Sequence, residues 1–245
     1  MGDTPTEFIE VMNISDETLD LTGVSFSRGI DFTFPEATLL TPGERILVVQ
    51  DVTAFEITYG LGLPIAGSFA NDTRLANAGE RLTLRARDDA ILVDFRIGDL
   101  HPWPEAPDGT GRSLVLIDPH HAIPDSPLHW RSSIHPGGSP GDSDTISFEG
   151  GGGQALLDYA LAGNRLPGVG ILEGVAVVDF QVRTAADQAV VWVDYSTDLR
   201  NWTPAAATDF IARADYADGT FLYRFAMPAN QPPGHYFARL RVDRR

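Results

Sequence analysis

A chain of 245 residues, 43% of them hydrophobic, carries enough apolar side chain for one large core or two small ones without covalent staples. It has no cysteine, and all 18 basic residues are arginine, which excludes disulfides, thiolate metal sites, cysteine nucleophiles, a phosphate-loop lysine and Schiff-base chemistry. A formal charge of −16 repels phosphate backbones and anionic membranes, and no apolar run reaches membrane-spanning length.

The start, MGDTPTEF, has neither a charged n-region nor an apolar h-region, so either the chain is cytoplasmic or an export signal lies outside this segment. Short β-type runs follow: EFIEVMN (Glu7 to Asn13), LDLTGVSFS (Leu19 to Ser27) and ERILVVQD (Glu44 to Asp51). In ERLTLRARDDAILVDFRIG, Leu82, Leu84 and Ala86 alternate with Arg81, Thr83, Arg85 and Arg87, Asp88 and Asp89 mark a turn, and Ile91, Val93, Phe95 and Ile97 take one face of a returning strand. This predicts a hairpin with one solvated face. SLVLID (Ser113 to Asp118) is a further strand at sandwich-like spacing.

The predicted first domain is 1–141. A glycine-rich linker and short helix occupy 142–164, with QALLDYALAG placing Leu156 over Ala160 and Leu157 over Leu161, and Gly163 as the stop. The third segment, 165–245, alternates again at Val178, Phe180 and Val182, at Val191, Val193 and Tyr195, at Phe221, Tyr223 and Phe225, and at Tyr236, Ala238, Leu240 and Val242. An all-β chain of two sandwiches results. Aspartate outnumbers glutamate 24 to 10, which suits turns more than helix faces.

Four motifs invite chemistry. IHPGGSPGDSD contains a literal G-x-S-x-G at Gly137, Gly138, Ser139, Pro140 and Gly141, but an oxyanion hole needs the N–H of the residue after the serine. Pro140 has none, so a domain-closing turn is expected. DGTGRS (Asp108 to Ser113) lacks the lysine of a phosphate loop and enters a strand, and GVGILEG (Gly168 to Gly174) is expected to be a loop opening the second sandwich. His101, His120, His121, His129 and His135, with Asp118 and Asp125, form the only cluster of transition-metal ligand types; His120, His121 and Asp118 are its candidate ligands, although no helical i, i+4 pair supports them. GDSDT (Gly141 to Thr145) alternates acids as calcium loops do, without their glycine or distant glutamate, so calcium at a domain junction is the one ion considered and no cofactor is expected.

Trp103, Trp130 and Trp202 are expected in cores, whereas Trp192 alternates with Val191 and Val193 and should face outward as a contact residue. Arg81, Arg85 and Arg87 project from one strand face, and their planar forks suit an acidic partner or a second copy of the chain.

EFIEVMNISDETLDLTGVSFS (Glu7 to Ser27), FTFPEATLLTPGERILVVQD (Phe32 to Asp51), LANAGERLTLRARDDAILVDF (Leu75 to Phe95), PWPEAPDGTGRSLVLIDP (Pro102 to Pro119), HWRSS (His129 to Ser133) and PGGSPG (Pro136 to Gly141) together resemble the lamin-tail domain. That family is an immunoglobulin-like sandwich found in nuclear lamins and many bacterial secreted proteins. ALLDYALAGN (Ala155 to Asn164), DYSTDLRNWTP (Asp194 to Pro204) and HYFARLRV (His235 to Val242) resemble, more weakly, β-modules that close large secreted bacterial proteins. The resemblance implies a secreted or cell-surface, non-catalytic adhesion, attachment or assembly module, the C-terminal part of something longer, with a protein or surface-glycan partner. The alternatives are a carbohydrate-binding accessory domain of a secreted hydrolase and a metal-dependent hydrolase built on the histidines.

Overall fold

Alternating apolar positions become strands throughout the chain, of which the computed structural model describes residues 5–107, 109–161, 167–216, 218–227 and 236–245. The fold is mostly β with two α-helices. In the first unit the elements are β1 (Phe8–Met12), β2 (Leu19–Asp20), β3 (Ser25–Arg28), β4 (Phe32–Thr33), β5 (Leu39–Leu40), β6 (Arg45–Val49), α1 (Val52–Tyr59), β7 (Ile65–Ser68), β8 (Glu80–Arg85) and β9 (Ile91–Ile97). The second contains β10 (Leu114–Leu116), β11 (Trp130–Ser132), α2 (Gly153–Ala160), β12 (Gly168–Leu172), β13 (Val175–Arg183), β14 (Ala189–Ser196), β15 (Thr203–Pro204), β16 (Phe210–Asp215), β17 (Thr220–Ala226) and β18 (Phe237–Arg244).

In the first unit, sheets β1-β6-β7 and β4-β3-β8-β9 and the pair β2-β5 supply one core, in which Phe26, Ile30, Phe32, Phe34, Leu40 and Val48 are buried. Phe32 and Phe34 meet edge to face at 5.1 Å between ring centres. The run ILVV in β6 is apolar without alternation because both its faces are covered: Val48 enters that core, while Leu47 and Val49 pack with Phe55 of α1. Helix α1, which the sequence patterning missed, starts at Asp51, whose carboxylate caps the Ala54 N–H at 2.8 Å. It carries the chain from β6 to β7, and these two strands pair in parallel within an otherwise antiparallel set.

The hairpin β8-β9 forms, with one correction. A bulge leaves Leu92 unmatched, so Arg85 stands opposite Ile91 and Ile91 lies on the arginine face, exposed, not with Val93 and Phe95. Thr83, expected in solvent, is buried and donates its hydroxyl hydrogen to Asp94.

In the second unit the sheets β12-β13-β17-β16 and β15-β14-β18 enclose Val178, Phe180, Val193, Tyr195 and Phe221, as the alternation of those strands implies. Helix α2 lays Tyr159 and Ala160 among Ala186, Ala189 and Leu240 and ends at Leu161; the predicted stop at Gly163 lies outside the described residues, as do Asp108, Asn164 and His235. GVGILEG is not a loop. Gly168–Leu172 is β12, joined to β13 through Glu173 and Gly174, both at positive φ as a tight two-residue hairpin turn requires.

Contacts also divide the chain differently from the expected boundary at 141. The first unit takes the residues up to Leu100 with Asp118–His129 and Gly138–Ser143, and the second takes His101–Ile117, Trp130–Gly137 and Asp144–Arg245. Nor is 144–149 a free linker: the Ile146 N–H donates to Ala185 O at 2.9 Å, the Phe148 N–H to Gln188 at 2.7 Å, and Tyr159 donates its hydroxyl hydrogen to Ile146 O at 2.6 Å. These bonds fix the segment although, apart from buried Asp144 and half-buried Phe148, its residues are exposed.

Candidate binding face

Ser139 of the G-x-S-x-G motif sits in a turn closed by the Asp142 N–H donating to Ser139 O at 3.0 Å. Gly141 follows at φ +82°, and its N–H donates to the Glu10 carboxylate at 2.7 Å. Glu10 also pairs with Arg45 at 3.0 Å; burial raises its pKa above the ordinary value, and the Gly141 N–H and Arg45 pull the other way. The glycine thus anchors the segment to β1, and no strand-to-helix elbow presents the serine. Ser139→Ala is expected to change stability by no more than about 1 kcal/mol, the size of one hydrogen bond, in a chemical unfolding titration. The same variant is expected to turn over activated esters no differently from the wild type; turnover that vanished with the hydroxyl would return this serine to a catalytic role.

The histidines are dispersed in their roles. His121 Nδ1 lies 3.1 Å from Asp118 with its ring in solvent, and the His120 and His121 ring centres are 6.5 Å apart. His129 Nδ1 accepts the Ile123 N–H at 2.8 Å, and the Asp125 carboxylate accepts the Arg96 N–H at 2.8 Å. In the second unit His101 stacks on Phe210. Among the described residues no three His, Asp or Glu side chains converge to hold a metal ion. Asp144, the calcium-type acid of GDSDT, is buried and accepts from Arg131 at 2.6 Å and from the Ile134 N–H at 3.0 Å.

The three candidate arginines of β8 and its turn are differently engaged. Arg81 grips Asp94 with two bonds, 2.9 Å from Nε and 2.5 Å from Nη2, which holds the Asp94 carboxyl far below the usual range. Arg85 donates to Ser27 Oγ at 3.0 Å and Asp89 O at 2.8 Å, and Arg87 lies along Gly23. An acidic partner on this face would compete with Asp94 for Arg81.

Trp192 stands at the centre of a more ordered arrangement. It lies on the outer face of β14, 39% exposed, opposite Arg241 of β18, and two residues along Asp194 stands opposite Arg239. Arg241 Cζ sits 5.6 Å from the centre of the Trp192 ring, and Arg239 Cζ sits 4.3 Å from that of Trp202. Between them Asp194 is buried, and its Oδ2 accepts from Arg239 Nε at 3.1 Å and Arg241 Nε at 3.3 Å. Arg241 also binds Asp243. The row therefore runs Trp202, Arg239, Asp194, Arg241, Trp192, with each cation fixed by a carboxylate below it and an aromatic ring beside it. The other oxygen of Asp194, Oδ1, is buried with no hydrogen-bond partner among the described residues, a condition native proteins keep rarely.

No family model matches this chain, and no curated protein matches it.

Of this row, alternation alone places Trp192 outward. Trp202, expected in a core, instead lies under Arg239. Arg239 and Arg241 alternate with Ala238, Leu240 and Val242, so their outward direction is legible, but their meeting with Asp194 depends on a pairing across 45 and 47 positions. Nearby, Asp198 accepts N–H groups of Arg200 and Asn201 at 2.8 Å, which lowers its pKa to about 2 and closes the turn that leads to Trp202. Trp103 and Trp130 pack on each other at 6.3 Å, half-buried, in the second unit.

Proposed function

We propose that the chain is a non-catalytic extracellular attachment or assembly module: a lamin-tail-like, immunoglobulin-like sandwich followed by a second β-sandwich that contacts its partner through the Trp192 face. The family assignment and the extracellular setting rest on the sequence resemblance. The contact rests on one observation, the row Trp202, Arg239, Asp194, Arg241, Trp192. Tryptophan and arginine are the residue types that anchor interfaces, and here ion pairs and ring contacts hold them before any partner arrives, so little rotamer freedom is lost on binding. The module needs no cofactor for this.

A surface glycan is favoured as the partner by the Trp192 indole, which keeps open surface on which a sugar ring can stack. Depletion of the chain by insoluble cellulose, chitin and a cross-linked polyuronate tests it. Retention on one of these is expected to fall about tenfold or more in Trp192→Ala, corresponding to loss of a 1.4 kcal/mol contact. Arg241→Ser should weaken retention on the polyuronate most. Retention by none of the three leaves a protein partner, and retention that survives both substitutions removes this face from the proposal.

A further inference from the structure

The sheet β12-β13-β17-β16 ends on β12, the strand G-V-G-I-L, in which all five residues are exposed. Val169 and Ile171 are 69% and 80% exposed, and the strand carries no charge in a chain of −16. Its register against β13 is unbroken from Gly168 opposite Asp179 to Leu172 opposite Val175. Sheet edges are usually blunted by bulges, charges or caps. The edge β9 has its bulge at Leu92, the charges of Asp94 and Arg96 and the Asp125 carboxylate on its Arg96 N–H, and β16 has an irregularity between Phe210 and Ala212. Among the described residues β12 has none of these devices.

We infer that β12 is a self-pairing edge, at which two copies of the chain join antiparallel about a twofold axis through Gly170. Centring the pair there overlaps all five residues. Val169 then faces the partner's Ile171 twice on one side of the sheet, and on the other side each Leu172 faces the partner's Gly168 while Gly170 faces its own copy. Bulky residues meet glycine or each other's apolar surface, no like charges oppose within the strand, and the outer row of backbone donors and acceptors is satisfied across the seam. The rest of each copy is acidic, so this uncharged strand is where two copies can approach. The inference does not depend on the Trp192 face.

Light scattering across a concentration series should show a dimer that strengthens as salt is added, because screening weakens the repulsion between acidic chains; an arginine-mediated contact would weaken. Ile171→Lys should loosen the dimer at least about tenfold without altering the unfolding of the monomer, since it sets a charge into the seam. Ile57→Lys, on α1 and 81% exposed, should leave the dimer intact. Because the chain has no cysteine, a single introduced thiol reports the register. At Gly170 and Gly168 an added Cβ meets nothing closer than Val177 Cγ2 at 3.8 Å and Asp179 Cβ at 3.9 Å. Gly170→Cys should oxidise to a disulfide-linked dimer, whereas Gly168→Cys should not, its twin lying four residues or about 13 Å along the seam. A monomer at every concentration and salt, a dimer indifferent to Ile171→Lys, or equal cross-linking at the two positions would overturn the inference.

Discussion

Arg131→Leu is expected to destabilise the second unit by about 3–5 kcal/mol, the usual consequence of removing one partner from a buried ion pair. Arg131 is 1% exposed and serves two carboxylates: Nη1 lies 2.6 Å from Asp144, while Nε and Nη2 grip Asp187 at 2.7 and 2.6 Å. Its remaining donors reach the carbonyls of Ser132 and Asp144. Leucine fills much of the volume but leaves two acids, both nearly out of solvent, with no cation. The Asp144 carboxylate would keep the Ile134 N–H, and Asp187 would keep the Thr145 hydroxyl at 2.9 Å; neither is a counter-charge. Urea unfolding of Arg131→Leu measures the cost. The same change made together with Asp144→Asn and Asp187→Asn should recover most of it, because the uncompensated charge has gone. If the triple variant is as unstable as the single one, the arginine acts through packing of its stem and not through charge.

That network also explains what patterning along the chain makes legible. Period-two alternation marks β13, β14, β17 and β18 with their inward residues, and the Asp88-Asp89 turn marks the β8-β9 hairpin, because each signal is local. The bulge at Leu92 is a local event too, but only the register against β8 reveals it, and it moves Ile91 to the opposite face. Helix α1 is short and rich in Val, Thr and Ile, residues that favour strands, so its one clear signal is the Asp51 cap. Strand β12 looks like a glycine loop because two of its five positions are glycine. The HWRSS motif, His129 to Ser133, is read naturally as the close of the first sandwich. Its arginine finds Asp187 56 positions away and Ser132 finds Asp215 83 positions away, and a buried charge leaves no periodicity to betray such pairings. The Trp192 face divides in the same way: alternation gives the outward direction of each side chain, and the long-range register of β14 with β18 gives their neighbours.

A break of the chain between 142 and 153, which the glycine run invites, is expected not to release a stable C-terminal sandwich. The fragment 144–245 would lose Arg131, leaving Asp144 and Asp187 uncompensated. Asp215 would lose the Ser132 hydroxyl at 2.9 Å and the Ala106 N–H at 3.3 Å. Arg213, buried over the Phe221 ring at 4.2 Å and ion-paired through Nε with Asp215 at 3.6 Å, would lose its bond to the Trp130 carbonyl, and among the described residues its Nε and Nη2 already lack hydrogen-bond partners. At about 3–5 kcal/mol for stranded charge and 1–3 kcal/mol for each orphaned polar group, the sum rivals the roughly 5–15 kcal/mol that stabilises a whole domain. Thermal unfolding of two fragments checks this. One beginning at His101 should unfold cooperatively, whereas one beginning at Asp144 should show a much lower midpoint or no cooperative transition. Mixing the shorter fragment with a peptide covering 101–137 should restore part of the transition, because the missing partners lie within those residues. A fragment 144–245 as stable as the longer one would show that Arg131, Ser132 and the Trp130 carbonyl are dispensable, and would return the boundary to the glycine run.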